Sequence, residues 1–204
     1  AGVIKDKFKI STPGKFSSYN AMAAILTCHL LGIDKKYMKK ALSDFSVKGR
    51  VEPVWVSDDF TLLIDYAHNG VSTESILSTI REYNPGRIVT IFGCGGNRSK
   101  DRRYEMGEMA SKYSDKCIIT EDNNRYEEFE DIAKDILTNF DKKCEYVVIP
   151  DRKDAIKYAI EKGKKGDIIM LIGKGHEDYK EIKGIRYPFD ERVVIKEILE
   201  ELKK

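Results

Sequence analysis

Apolar positions in this chain follow two spacings that take turns along its length. Short apolar runs at 60–65, 88–93, 117–120, 146–150 and 168–172 read as buried strands. Between them, residues 72–83, a stretch ending near Lys112, 129–140, 152–162 and 191–202 carry helical spacing. Asn84-Pro85-Gly86 stops one helix, while Asp151 and Asp190 stand where N-caps belong. Residues 54–57 and 60–65 read as strands joined at Asp58-Asp59, and 181–189 as a short hairpin. Alternating strands and helices, with apolar strands, predict an α/β fold. Its sheet is Rossmann-like and mostly parallel, with helices on both faces.

The first 48 residues follow a different plan. Val3, Ile4, Phe8 and Ile10 alternate with polar residues and predict a strand, and Pro13-Gly14 predicts a turn. Met22, Ile25, Leu26, His29 and Leu30 are spaced for a helix over 17–31, which Gly32 ends. Asp34 caps a second helix through Phe45, with Met38, Ala41 and Leu42 on one face. One strand and a helix pair are too small to hold a core, so this section reads as the tail of a preceding domain.

Composition narrows the class. The chain has 204 residues, 41% hydrophobic and 34% charged, with a net charge of +2. That balance gives no reason to expect nucleic acid or a membrane surface as partner. No apolar run approaches ~18 residues, so no transmembrane helix is expected. The four cysteines, at 28, 94, 117 and 144, form no C-x-x-C pair. Cys28, Cys117 and Cys144 read as buried thiols and Cys94 as exposed in its glycine loop. A reducing cytoplasm is the simplest compartment.

Candidate chemistry gathers where strands end. Thr120-Glu121-Asp122-Asn123-Asn124-Arg125 and Gly173-Lys174-Gly175-His176-Glu177 each follow an apolar run. In open α/β sheets, ligands bind outside the carboxyl ends of the strands. An Arg and a Glu there suit the carboxylate and the ammonium of one amino acid. Gly93-Cys94-Gly95-Gly96-Asn97-Arg98 lets backbone N–H groups approach an anion, or is simply a tight turn; Arg98, Arg102 and Arg103 favour a carboxylate or phosphate. The third glycine of a dinucleotide fingerprint falls on Arg98, so that motif is absent. Asp65-Tyr66-Ala67-His68-Asn69 ends another strand and suits orienting a nucleotide or proton handling, or helix capping by Asn69. No phosphate loop of the G-x-x-x-x-G-K-S/T type occurs.

Taken in order, Pro13-Gly14-Lys15-Phe16, Tyr19-Asn20-Ala21-Met22-Ala23-Ala24, Gly49-Arg50-Val51-Glu52, the Asp65, Gly93 and Thr120 motifs, Asp151-Arg152 and Gly173–Glu177 resemble the Mur ligases. The likeness is strongest to their UDP-N-acetylmuramoyl-tripeptide synthetase branch. It implies that 1–48 is the end of a central ATP-binding domain and 49–204 the C-terminal amino-acid-binding domain. It further implies that the UDP-sugar domain, the phosphate loop and the modified lysine that aids Mg²⁺ binding lie outside this chain, leaving it inactive alone.

The family joins an amino acid to UDP-MurNAc-L-Ala-D-Glu. ATP, with Mg²⁺, phosphorylates the carboxylate, and an amine then attacks the acyl phosphate. The resemblance implies that Asn20 contacts the adenine side of ATP and that Arg50 approaches its phosphates. Asp65 and His68 become catalytic candidates on the nucleotide-facing edge. Arg98, Asp122, Asn123, Arg125, Gly173 and Glu177 match the amino-acid pocket, and no metal ligands are expected. Arg125 implies meso-diaminopimelate rather than L-Lys, which lacks the distal carboxylate. Two residues depart from the family pattern: Asn124 stands where Pro is common, and Ser17 where Asn is common. The expected assembly is a monomer. Competing readings are an L-Lys-adding member, a folylpolyglutamate- or cyanophycin-type ligase, and a non-catalytic module that binds an amino acid or nucleotide.

Overall fold

A computed structural model describes residues 4–12 and 14–203, without the side chains of 15 and 16. Val3 and Pro13, used in the strand and turn expectations, lie outside the described residues. The chain divides into two compact units, Ala1–Val47 and Lys48–Lys204.

The first unit holds α1 (Lys15–Leu30) and α2 (Lys35–Asp44). Asp34 caps α2 by accepting from Lys36 N at 2.8 Å. The strand expected over residues 1–10 is absent from the described residues, 4–10 being irregular. Alternation makes a strand only where another strand completes the ladder, and the described part of this unit holds none. The segment instead runs beside α2: Lys39 pairs with Asp6 at 2.7 Å, and Ser11 N donates to Leu42 O at 3.2 Å. Cys28, expected to be buried, is partly exposed.

The second unit is a six-stranded sheet in the order β1-β2-β6-β3-β4-β5, with a separate two-stranded hairpin. The strands are β1 (Glu52–Val54), β2 (Thr61–Asp65), β3 (Ile88–Phe92), β4 (Lys116–Ile119), β5 (Glu145–Val148) and β6 (Ile168–Ile172). Only β1 is antiparallel; β2, β6, β3, β4 and β5 run parallel. The first strand begins earlier than its apolar pattern suggests, because Glu52 pairs with Ile64 and Val54 with Leu62. Register is thus set by the partner strand rather than by the apolar run.

Helices α3 (Gly70–Arg81), α4 (Lys100–Tyr113) and α5 (Phe129–Ile136) cover one face. Leu77, Ile80, Met106, Ala110, Ile132 and Ile136 pack there against Phe92, Cys117 and Met170. Helices α6 (Arg152–Lys162) and α7 (Glu191–Leu202) cover the other, where Ile156, Ala159, Ile195 and Ile198 meet Ile64, Ile91 and Leu171. The central strands are largely apolar because both faces are covered, Thr90 in β3 being a buried exception. A 3-10 turn at Leu137–Asn139 follows α5.

The hairpin β7 (Tyr179–Ile182) and β8 (Ile185–Pro188) lies between β6 and α7. Strands β3 and β6 are neighbours, yet β3 leads to α4 on one face and β6 to α7 on the other. Divergent connections from adjacent parallel strands open a crevice at their carboxyl ends.

Candidate functional site

Four loops meet at that carboxyl edge, and glycines allow them to touch. Gly173 follows β6 at φ 111°, a backbone conformation that favours glycine, and a Cβ there would sit 2.8 Å from Asp122 Oδ2. Gly96 lies against the carbonyl of Asn124. Its N–H donates to Asn123 O at 2.9 Å, fastening the glycine loop to the arginine loop.

Lys174 is the centre of the arrangement. Its side chain is fully buried, and its ammonium lies 3.3 Å from Asn123 Oδ1, 3.5 Å from Asp122 Oδ1 and 3.6 Å from Glu177 Oε2. Asn123 Nδ2 donates to Glu177 Oε2 at 2.9 Å. Two carboxylates around one buried ammonium leave a net negative charge, a setting that attracts a second cation. The pattern places Lys174 in a strand-end loop but gives no sign that it folds inward.

Arg125 adopts φ 52° and points back to the glycine loop, where its Nη1 donates to Gly96 O at 2.8 Å. Its Nε lies 3.4 Å from Glu181 Oε2. Backbone bonds hold this loop to the hairpin: Arg125 N donates to Glu181 O at 2.9 Å, and Lys183 N to Arg125 O at 2.7 Å. The amide of Asn123 adds a third tie by accepting from Glu181 N at 2.9 Å. Glu181 is invisible to motif reading, because it sits in a hairpin with no strand-end signature. Asn124 is buried, and its Oδ1 lacks a hydrogen-bond partner.

Arg98 is exposed on the glycine loop. Arg103, read from sequence as a ligand cation, is otherwise engaged. Its side chain is buried, with Nη2 2.8 Å from Glu127 Oε1 and Nη1 2.9 Å from Asp135 Oδ2. That pairing, joined by the Asn97 N–H, holds the Glu127 carboxyl down at about 2. Arg103 therefore fixes the loop instead of facing a ligand. Cys94 is also buried, not exposed, against Met106 on α4 at 3.6 Å. Burial pushes its thiol up to about 12, so it stays protonated and packs as an apolar group.

The Asp65 loop reaches Glu177 through Tyr66, whose hydroxyl lies 3.5 Å from Glu177 Oε1. Asp65 is buried and accepts from Ala67 N at 2.8 Å and Val51 N at 2.9 Å. Burial pushes its carboxyl above the ordinary value of 3.8, outweighing those two N–H groups and the nearby Arg50 guanidinium. Arg50 is exposed and stacks on the Tyr66 ring, 5.0 Å from its centroid. His68 and His176 flank the same ring at 4.7 and 4.8 Å. His68 Nδ1 lies 2.8 Å from Tyr66 O. A carbonyl can only accept, so Nδ1 carries the proton and Nε2 is left as an acceptor in the neutral ring. Asn69 and Ser72 form a capping box at the start of α3. Asn20 is exposed on α1 of the first unit.

Arg152 is the remaining residue of note. It is buried and bonds to Glu191, Ile172 O and Glu121 O, joining the ends of β4 and β6 to α7.

A mostly parallel sheet covered on both faces, with charged loops at one carboxyl edge, defines a Rossmann-like α/β domain. The chain belongs to the family described as Mur ligase, glutamate ligase domain, whose model matches residues 49–175. It is 46% identical over 201 residues to the UDP-N-acetylmuramoyl-L-alanyl-D-glutamate–2,6-diaminopimelate ligase of Caldanaerobacter subterraneus, covering 98% of this chain and 42% of that protein. The ligase of the same name from Aquifex aeolicus is 45% identical over 193 residues, covering 95% and 40%. A solved structure of a ligase of that name superposes with a TM-score of 0.75 at 29% identity, covering 97% of this chain and 41% of that one. The chain thus spans about two fifths of the length of the curated relatives it matches.

Proposed function

We propose that residues 49–204 are the amino-acid-binding part of an ATP-dependent Mur ligase, and that residues 1–48 end its ATP-binding domain. The reaction joins meso-diaminopimelate to UDP-MurNAc-L-Ala-D-Glu in the cytoplasm, as one step of peptidoglycan synthesis. The observation that carries this reading is the pairing of opposite charges at one sheet edge. Arg125 offers a guanidinium to a carboxylate, and beside it Asp122 and Glu177 surround Lys174 with excess negative charge. Arg98, exposed on the adjoining loop, adds a second cation.

In this reading the distal carboxylate of the diamino acid meets Arg125 and its ammonium meets Glu177 and Asp122. Held at both charges, the ligand presents its other amine in one orientation, and positioning supplies a large part of the rate. ATP supplies the phosphoryl group that turns a carboxylate oxygen into a leaving group. Arg50, exposed and oriented by Tyr66, fits its phosphates, and Asn20 fits its adenine side. Asp65 holds the segment that carries Arg50 through the Val51 N–H. His68 Nε2 serves as the proton acceptor of this edge. Among the described residues no trio of His, Cys, Asp or Glu side chains is placed to hold a metal ion.

Calorimetric titration with meso-diaminopimelate and with L-Lys tests the assignment, using the chain as it stands and its Arg125→Ala variant. Tighter binding of diaminopimelate, with the preference lost in the variant, is expected. A preference for L-Lys in the unaltered chain would overturn the choice of substrate.

A further inference from the structure

Arg125 already has a carboxylate beside it before any ligand arrives. Glu181 Oε2 lies 3.4 Å from Arg125 Nε, and both side chains are four-fifths buried. The pair is held in register by backbone, not by the carboxylate itself. Arg125 N donates to Glu181 O, Lys183 N donates to Arg125 O, and Arg125 and Ile182 form an isolated parallel bridge. Arg125 Nη1 is separately anchored on Gly96 O at 2.8 Å. The guanidinium therefore keeps its place without help from the Glu181 side chain.

We propose that Glu181 is a specificity-determining residue, a built-in counter-ion that lowers the advantage of a ligand carboxylate at Arg125. This rests on the amino-acid-binding reading above. A ligand with a distal carboxylate brings a second negative charge to a guanidinium that already faces one, and like charges there oppose each other. A ligand without that carboxylate leaves Arg125 paired with Glu181, so it avoids the cost of a partly buried, unpaired cation. Glu181 thus narrows the gap between diaminopimelate and L-Lys, and Arg125 alone would widen it.

The test is Glu181→Gln, titrated calorimetrically with meso-diaminopimelate and L-Lys beside the unaltered chain and Arg125→Ala. Glutamine keeps the size and the backbone ties while removing the charge. Diaminopimelate is expected to bind about twofold to fivefold more tightly to Glu181→Gln, with L-Lys unchanged. The gain should shrink as salt is raised. Unchanged or weaker diaminopimelate binding in Glu181→Gln would overturn the inference, weaker binding marking Glu181 as a group that orients Arg125. If Arg125→Ala still removes the preference in that case, the amino-acid-binding reading stands and only the role of Glu181 falls. If neither amino acid binds the unaltered chain at millimolar concentration, both fall together.

Discussion

Arg152 and Glu191 meet with no access to water: Nη2 and Nε lie 2.7 and 2.9 Å from the same Oε1. The remaining Arg152 bonds reach Ile172 O, the last carbonyl of β6, and Glu121 O, inside the loop that follows β4. This pair thus pins α7 to the floor of the crevice. Glu191→Ala leaves a buried guanidinium without its counter-ion and should cost about 3–5 kcal/mol. Urea unfolding of the single variant and of Arg152→Met with Glu191→Leu checks this. The double variant should recover most of the loss, since it buries no unpaired charge.

Lys174 poses the opposite charge problem. Lys174→Met removes the ammonium between Asp122 and Glu177 and leaves two carboxylates facing each other. Stability should then fall as pH rises through the carboxylate range, because repulsion grows only when both ionise. Denaturant midpoints measured from pH 4 to 8 should show that slope in the variant and a flatter profile in the unaltered chain.

Glu127 contributes a pH dependence of known sign. Its folded carboxyl is held at about 2, below the ordinary 4.5, first by Arg103 and then by the Asn97 N–H. The stability it contributes is full above 4.5 and is lost as pH falls towards 2. Glu127→Gln should therefore be less stable than the unaltered chain at pH 6, and the gap should close on acidification. Asp65 has the reverse sign. Its folded value is raised by burial, so its contribution is present below 3.8 and is lost as pH rises through the raised value. Carboxyl NMR titration of Asp65 reads that shift directly.

Gly96 tests the contact between the glycine loop and the arginine loop. A methyl group at this position would overlap the Asn124 carbonyl, which belongs to backbone and cannot swing aside. Gly96→Ala should cost about 1–3 kcal/mol. It should also displace the carbonyl that anchors Arg125, so diaminopimelate affinity falls along with the melting temperature.

Much of the fold is legible in short-range signals. Asp190 as a cap and 191–202 as the last helix follow from one capping residue and a 3.6-residue repeat, and the structure has both. The strand at 168–172 is apolar throughout because both faces are covered, and its bounds match the pattern. The register of β1 and the fate of residues 4–10 were not legible, because strand identity depends on a partner elsewhere in the chain. At the candidate site, the motifs name the loops, but not which of their charges face each other. Arg103 reads as a ligand cation until Glu127 and Asp135 are seen beside it.

The sequence by itself determines the alternation of strands and helices, their caps, and the gathering of polar loops at carboxyl ends. These depend on neighbours a few residues apart, where chain geometry is fixed. Only the tertiary structure decides that Lys174 is buried between two carboxylates, that Glu181 is the partner of Arg125, and that Arg152 closes on Glu191 across 39 positions. Charges act through space over a few ångströms, and separation along the chain says nothing about that distance until the sheet has brought its strand ends together.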